Sequence, residues 1–221
     1  MKVQVKKSAL HWNEELAAKL RGEFLRHRVT VVDIMSSPGS GKTSLLEHTA
    51  KELGGELRMA AIEGDLQTDR DAQRLRAVGL ETIQVNTGRG CHLDARMIEN
   101  ALTELNLPEI DLLLIENVGN LVCPAAFDLG QTADVLVFST TEGHDKPAKY
   151  PEVFRRVDLL VVNKMDLAEP ADFDLDAFEA DAHSINGQLP ILKLSCKSGN
   201  GLSDWLDWLS LLCATAPPPH K

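Results

Sequence analysis

Seven short apolar runs recur along the chain, and most are followed by a longer stretch in which apolar residues return every three or four positions. The runs are VTVVDIM (29–35), LRMAAIE (57–63), ETIQVN (81–86), IDLLLIENV (110–118), DVLVFST (134–140), DLLVVN (158–163) and PILKLS (190–195). Segments this short, apolar at consecutive positions, fit strands buried on both faces. The stretches between them, such as SLLEHTAKEL, TDRDAQRLRAV, LDARMIENALTEL and LDAFEADAHSI, have helical spacing. Alternating strands and helices predict an α/β fold, a mostly parallel seven-stranded sheet with helices on both faces. A helix ahead of the first strand would place Leu16, Leu20 and Phe24 on one face after a cap at Asn13. The expected organisation is a helical segment over 1–28 packed on the core, a central domain over 29–214, and a disordered tail over 215–221 that contains PPPHK.

At 221 residues and 43% hydrophobic, the chain is long enough for one ordinary core. A formal net charge of -10 argues against a surface that tracks nucleic-acid phosphates or an anionic membrane, since both need clustered lysine and arginine. No apolar run approaches the ~18 residues of a membrane span, and the opening MKVQVKKSALHWNEEL has no apolar signal-like centre. A cytoplasmic protein with no nucleic-acid or membrane partner is expected. Four cysteines, Cys91, Cys123, Cys196 and Cys213, do not make a disulfide scaffold in a chain of this length; in a reducing compartment they are packed, catalytic or metal-binding.

The segment SSPGSGKTS (36–44) lies between the first apolar run and an amphipathic stretch, the setting of a phosphate-binding loop. Backbone N–H groups from Gly39, Ser40 and Gly41 on to Ser44 can converge on phosphate oxygens. Lys42 would neutralise the outer phosphates, and the Thr43 hydroxyl would ligate magnesium. The pattern G-x-x-x-x-G-K-S/T has glycine where this chain has Ser36, a position that shapes the turn out of the strand more than it cradles phosphate. These features predict a P-loop NTPase fold.

NKMD (163–166) and SCKSG (195–199) each follow a strand run, in the order in which guanine-specific P-loop proteins read their base. Asp166 can accept from the ring N–H and exocyclic amine of guanine together, Lys164 can cover a ring face, and Asn163 can fix the loop. The backbone of Ser195, Cys196 and Lys197 can meet the base oxygen. Two further carboxylates stand at strand ends: Asp65, for magnesium or the attacking water, with Asp69 a weaker candidate, and Glu116 at the end of a buried run. Gly119 would offer an N–H to the outer phosphate. The expected ligands are GTP or GDP with magnesium, and Lys42, Thr43, Asp65 and Glu116 form the expected catalytic set. No arginine finger or catalytic glutamine is evident, which points to slow hydrolysis.

GRGCHLDA (88–95) sets Cys91 beside His92 after a strand, and Cys123 lies four residues past Gly119. If those two strand ends are close, two thiolates and an imidazole make three ligands for zinc or nickel with one position open. Cysteines are also commonly just buried, so chemistry alone leaves both uses standing. Cys196, in the base-reading loop, and Cys213, on an apolar helix face, are expected to have no metal role, and His144 reads as a polar loop residue.

SPGSGKT, EGDLQTD, NTGRGCHLDA, IENVGNLVCPAAFDLG, TEGHDKPAKYP and NKMDL together resemble the HypB family of GTPases, and the resemblance runs nearly end to end. It implies that 29–214 is a P-loop GTPase domain of the SIMIBI class. It implies that Cys91, His92 and Cys123 bind nickel or zinc near a subunit interface, and that the protein assists nickel insertion into nickel–iron hydrogenase. A GTP-bound homodimer is implied as well, with Lys146 and Lys149 near its interface, and the implied partners are a hydrogenase maturation protein and the hydrogenase large subunit. The chain carries no histidine-rich or cysteine-rich amino-terminal extension of the kind some members have, so nickel storage is not expected. The rival readings are a urease-type nickel maturation GTPase, whose C-P-H motif is replaced here by a separate Cys123 followed by Pro124, and a switch GTPase without metal. A small-metabolite kinase would have no use for NKMD.

Overall fold

The computed structural model describes residues 2–66, 68–88 and 90–215, apart from the side chains of residues 2–9. In chain order the elements are α1 (Lys2–His27), β1 (Thr30–Ser36), α2 (Lys42–Leu53), β2 (Met59–Asp65), α3 (Arg70–Ala77), β3 (Glu81–Asn86), α4 (Ala95–Leu102) and β4 (Leu112–Glu116). They continue with β5 (Ala133–Ser139), α5 (Lys146–Lys149), α6 (Pro151–Arg156), β6 (Leu159–Asn163), α7 (Leu175–Ile185), β7 (Ile191–Lys193) and α8 (Leu202–Thr215). The seven strands form one sheet in the order β3-β2-β4-β1-β5-β6-β7, and every neighbouring pair is parallel. All seven loops that leave the strands at their carboxyl ends therefore open on the same edge, where ligands of open α/β sheets bind.

The side-chain period of two sorts each strand between the two faces. Val32, Ile34, Leu114, Val135 and Val161 pack under α2, α3 and α8. On the other face, Val31, Ile62, Leu113 and Ile115 meet α1 and α4, while Met35, Leu136, Phe138 and Leu160 meet α6 and α7. In α8, Trp205 is fully buried and its Nε1 donates to Thr49 Oγ1 of α2 at 2.8 Å, with Trp208 stacked on it.

Two boundaries differ from expectation. Asn13 does not cap a helix: α1 begins at Lys2, and Asn13 is buried in its interior. Asparagine favours helix starts because its side chain competes for backbone partners, but here those partners come from elsewhere. Its Nδ2 donates to the Asp128 carbonyl and its Oδ1 accepts from the Ala95 N–H, both at 2.8 Å, which ties α1 to the start of α4. Leu20 and Phe24 are buried as expected, and Leu16 is half-buried. The last helix reaches Thr215, one residue into the expected tail, and residues 216–221 lie outside the described residues.

Asp33 interrupts the apolar face of β1 between Val31 and Met35. It is fully buried and paired in register with Asp134 of β5. Burial first, then the Asp134 charge, pushes its carboxyl up to about 8. In the unfolded chain the group ionises near 4. As pH rises from about 4 to 8, the unfolded state releases this proton first, so the group's contribution to stability is lost across that window. Asp33→Asn should therefore be more stable than wild type by on the order of a few kcal/mol at pH 8, and by much less at pH 5. Chemical denaturation at the two pH values checks this; an equal difference at both would mean that Asp33 is ionised in the fold.

Candidate functional site

The phosphate-loop residues line a cavity of 440 Å³ at the carboxyl edge of the sheet, walled also by the ends of β2 and β4. Gly39 and Gly41 have φ of 77° and 103°, the left-handed region that glycine enters without strain. Gly41 is also closed off from above: a Cβ there would sit 2.3 Å from Nδ2 of Asn163. Lys42 is buried, and its Nζ donates to Ser36 Oγ at 2.8 Å. The serine that replaces the first loop glycine thus gives the lysine a resting partner. Ser40 Oγ donates to Glu142 at 2.7 Å, and Ser44 Oγ accepts from Arg74 at 3.0 Å.

Thr43 Oγ1 donates to Glu116 Oε1 at 2.8 Å, while Glu116 Oε2 is buried with no hydrogen-bond donor. Opposite Glu116 in the β2–β4 register stands Glu63, also buried, with an unbonded Oε2 of its own. Burial, reinforced by Glu116 and Asp65, pushes Glu63 up to about 8; burial also raises Glu116, against the pull of Lys42. Two buried carboxylates with idle oxygens beside a threonine hydroxyl are a donor set that fits a hard divalent cation such as magnesium. Asp65 lines the same cavity, but its carboxylate accepts from Thr68 Oγ1 at 2.6 Å and from the Leu66 N–H. Asp69 stands at the N-cap position of α3 with no side-chain cap hydrogen bond, and its carboxylate accepts from Gln73 Nε2 at 2.8 Å.

A second cavity of 410 Å³ adjoins the loop, lined by Asn163, Lys164, Asp166, Cys196 and Lys197. Asn163 organises it: Nδ2 donates to the Ser40 carbonyl at 2.9 Å, and Oδ1 accepts from the N–H groups of Lys164 at 2.7 Å and Cys196 at 3.1 Å. Lys164 Nζ lies on the Gly39 carbonyl at 2.7 Å. Ser195 Oγ donates to Asp166 at 2.5 Å, which aims the carboxylate into the pocket. With the Ser195 N–H donating to Asn200 and that of Cys196 to Asn163, the Lys197 N–H is the group of this loop left to meet a base oxygen.

The structure brings Cys91, His92 and Cys123 together: one potential ligand atom from each lies within 4.8 Å of the others, and all three residues are half-buried. It is the one such cluster among the described residues. β3 and β4 are not neighbours, so the loop that carries Cys91 and His92 has to cross the end of β2 to reach Cys123. Gly64 makes room for that crossing. Leu93 packs fully buried where a Cβ at position 64 would meet its side chain at 2.8 Å. The His92 ring stacks on Phe127 with centroids 3.8 Å apart, and burial holds its pKa below the usual imidazole range. Phe127 also walls a groove of 560 Å³ shared with Asp94 and with Trp12 and Leu16 of α1. Burial raises the Cys196 thiol to about 11 and also raises Cys213, so both favour the protonated form, a poor ligand.

Lys146 and Lys149 occupy the short helix α5 on the loop after β5. Lys149 pairs with Asp145, and Lys146 lies over the Tyr150 ring at 5.6 Å. His144 is exposed beside Phe173. Sequence reasoning missed Glu63, Asn117 and Glu142, the last of which clamps Ser40 while capping its own turn. For Glu63 and Asn117 the available signal was a polar residue inside or ending an apolar run, a position where burial makes it informative.

Residues 30–193 match the CobW/HypB/UreG nucleotide-binding domain family. The chain is 48% identical over 207 residues to the hydrogenase maturation factor HypB of Azotobacter vinelandii, covering 94% of this chain and 68% of that protein. The fold superposes on crystal structures of HypB from Archaeoglobus fulgidus, with a TM-score of 0.86, 41% identity and coverage of 92% and 99%, and from Helicobacter pylori in complex with nickel, with a TM-score of 0.88, 37% identity and coverage of 95% and 99%. No helix among the described residues is long and apolar enough to cross a membrane. A phosphate loop over a parallel sheet, a thiol–imidazole cluster beside it, and this degree of identity along nearly the whole chain agree: the chain belongs to the HypB family of hydrogenase maturation factors.

Proposed function

We propose that this protein hydrolyses GTP and carries nickel, with zinc as the alternative ion, to assist nickel insertion into hydrogenase. The reading rests above all on the placement of Cys91, His92 and Cys123 within 4.8 Å of one another at the edge that also holds the phosphate cavity. Lys42 and the loop N–H groups would hold the outer phosphates, while Asn163, Asp166 and the Lys197 N–H would select guanine over adenine. Thr43 and Glu116 would hold magnesium, joined by Glu63 or Asp65, and the ion would offset phosphate charge. Three ligands with one position open suit an ion that must leave again.

Cys123 follows the segment that begins at Gly119, and Gly119 runs so close to the phosphate loop that a Cβ there would stand 3.1 Å from Pro38. Movement of this segment onto an outer phosphate would shift one ligand relative to the other two. The GTP form would pair with a second copy near Lys146 and Lys149, and hydrolysis would reset the site for transfer to a hydrogenase maturation partner or the large subunit. The deciding experiment is nickel affinity of the full chain with GDP and with a non-hydrolysable GTP analogue. The two affinities should differ by about 5-fold to 150-fold, and nickel should shift the relative affinity for the two nucleotides by the same factor. Equal affinities would leave a metal site and a nucleotide site with no coupling.

A further inference from the structure

We infer that Asn117 is the positioning residue through which the nucleotide-facing end of β4 and the metal loop hold each other in register. The inference rests on the coupled reading proposed above and names its mechanical link. Asn117 directly follows Glu116, is 1% exposed, and lines the phosphate cavity. Its Oδ1 accepts from the Leu93 N–H at 3.1 Å and from the Val118 N–H at 3.0 Å. Its Nδ2 donates to the Asp33 carboxyl group, at 3.1 Å to one oxygen and 3.3 Å to the other. Its own N–H donates to the Ile34 carbonyl at 3.0 Å.

One residue thus joins three segments: β1 just before the phosphate loop, the metal loop immediately after His92, and the turn that carries Gly119 and then Cys123. The two ends of the amide face opposite chemistry. Turning it over would point its NH₂ at the two N–H donors of Leu93 and Val118 and leave both without an acceptor, so its orientation is fixed by polarity as well as by packing. Leu93 cannot follow freely, because its side chain is seated over Gly64. When the β4 turn moves, the Leu93 N–H either travels with the Asn117 oxygen or loses its acceptor in a buried setting, which is strongly unfavourable. Cys91 and His92 lie on one side of that hydrogen bond and Cys123 on the other. A change at the phosphate therefore reaches all three ligands through a single side chain.

The test uses the full chain with nickel(II), GDP and a non-hydrolysable GTP analogue. In wild type the two nickel affinities should differ by about 5-fold to 150-fold. Asn117→Ala should bring their ratio to within about twofold of one. The swap Asp33→Asn with Asn117→Asp keeps an acceptor for the Leu93 and Val118 N–H groups. It also lets the amide now on β1 donate to the carboxylate now after β4, so it should restore the wild-type ratio. A ratio that survives Asn117→Ala overturns the inference and leaves the coupled reading intact. A swap that does not restore the ratio assigns the effect to lost packing and overturns it as well. No difference in wild type removes the coupled reading itself, and the link with it. If Asn117→Ala does not fold, hydrogen exchange at the Leu93 amide of wild type decides: protection should differ between the two nucleotide states, and equal protection overturns the inference.

Discussion

Lys42→Ala should lower GTP hydrolysis by about a thousandfold, the scale seen when one group that stabilises transition-state charge is removed. The side chain is buried with its Nζ 2.8 Å from Ser36 Oγ, ready to turn toward an outer phosphate. Its charge does a second job, because it opposes the upward shift that burial imposes on Glu63 and Glu116. Without it both carboxyls move further toward the neutral form, and the cation site they would share with Thr43 weakens too. The loss should therefore persist at saturating nucleotide and recover only partly with excess magnesium. Single-turnover hydrolysis at several magnesium concentrations measures both effects; turnover retained in the variant would show that the loop does not hold the transferred phosphate.

Removing one member of the Cys91–His92–Cys123 cluster should be nearly as damaging to nickel binding. Cys91→Ala, His92→Ala and Cys123→Ala should each weaken nickel binding by at least about 100-fold, since groups that merely orient ligands account for about 10–100-fold. Each variant leaves two ligands where three converge within 4.8 Å. Cys196→Ala and Cys213→Ala should change nothing, because burial keeps both thiols protonated. Acid should oppose binding throughout, since thiols must give up protons. The depressed pKa of His92 means that its imidazole begins to compete with a proton only below the range of an exposed histidine. Competition against a chelator of known strength at pH 7.5 and 6 follows each variant. Equal loss in the Cys196 variant would indicate a metal site other than the one described.

The central strands β1, β4, β5 and β6 were legible because each is a run of apolar residues buried on both faces, and ETIQVN, only partly buried at the sheet edge, still coincides with β3 from end to end. The grouping of the loop residues was legible for a related reason: Lys42, Thr43 and Asp166 are picked out by spacings along the chain, and they line two adjoining cavities. What stayed hidden depends on spacing across it. Nothing in IDLLLIENV shows that Asn117 reaches both Asp33 and Leu93, 84 and 24 residues away. Nothing in EGDLQTD shows that Gly64 leaves the space on which Leu93 rests. The start of α1 was misplaced because Asn13 satisfies partners 82 and 115 residues distant instead of its own helix.

The three tryptophans fall on opposite faces of the sheet. Trp12 is 69% exposed and shares its groove with Phe127, the ring on which His92 stacks. Trp205 is fully buried, hydrogen-bonded to the helix that grows out of the phosphate loop, and stacked on Trp208. The chain thereby carries two optical reporters in different solvents. Trp12, in the groove behind the His92 ring, should emit at long wavelength, and fully buried Trp205, behind the helix that leaves the phosphate loop, at short wavelength. A fluorescence titration with nickel and then with GTP should therefore change the two emission bands separately, with no label attached.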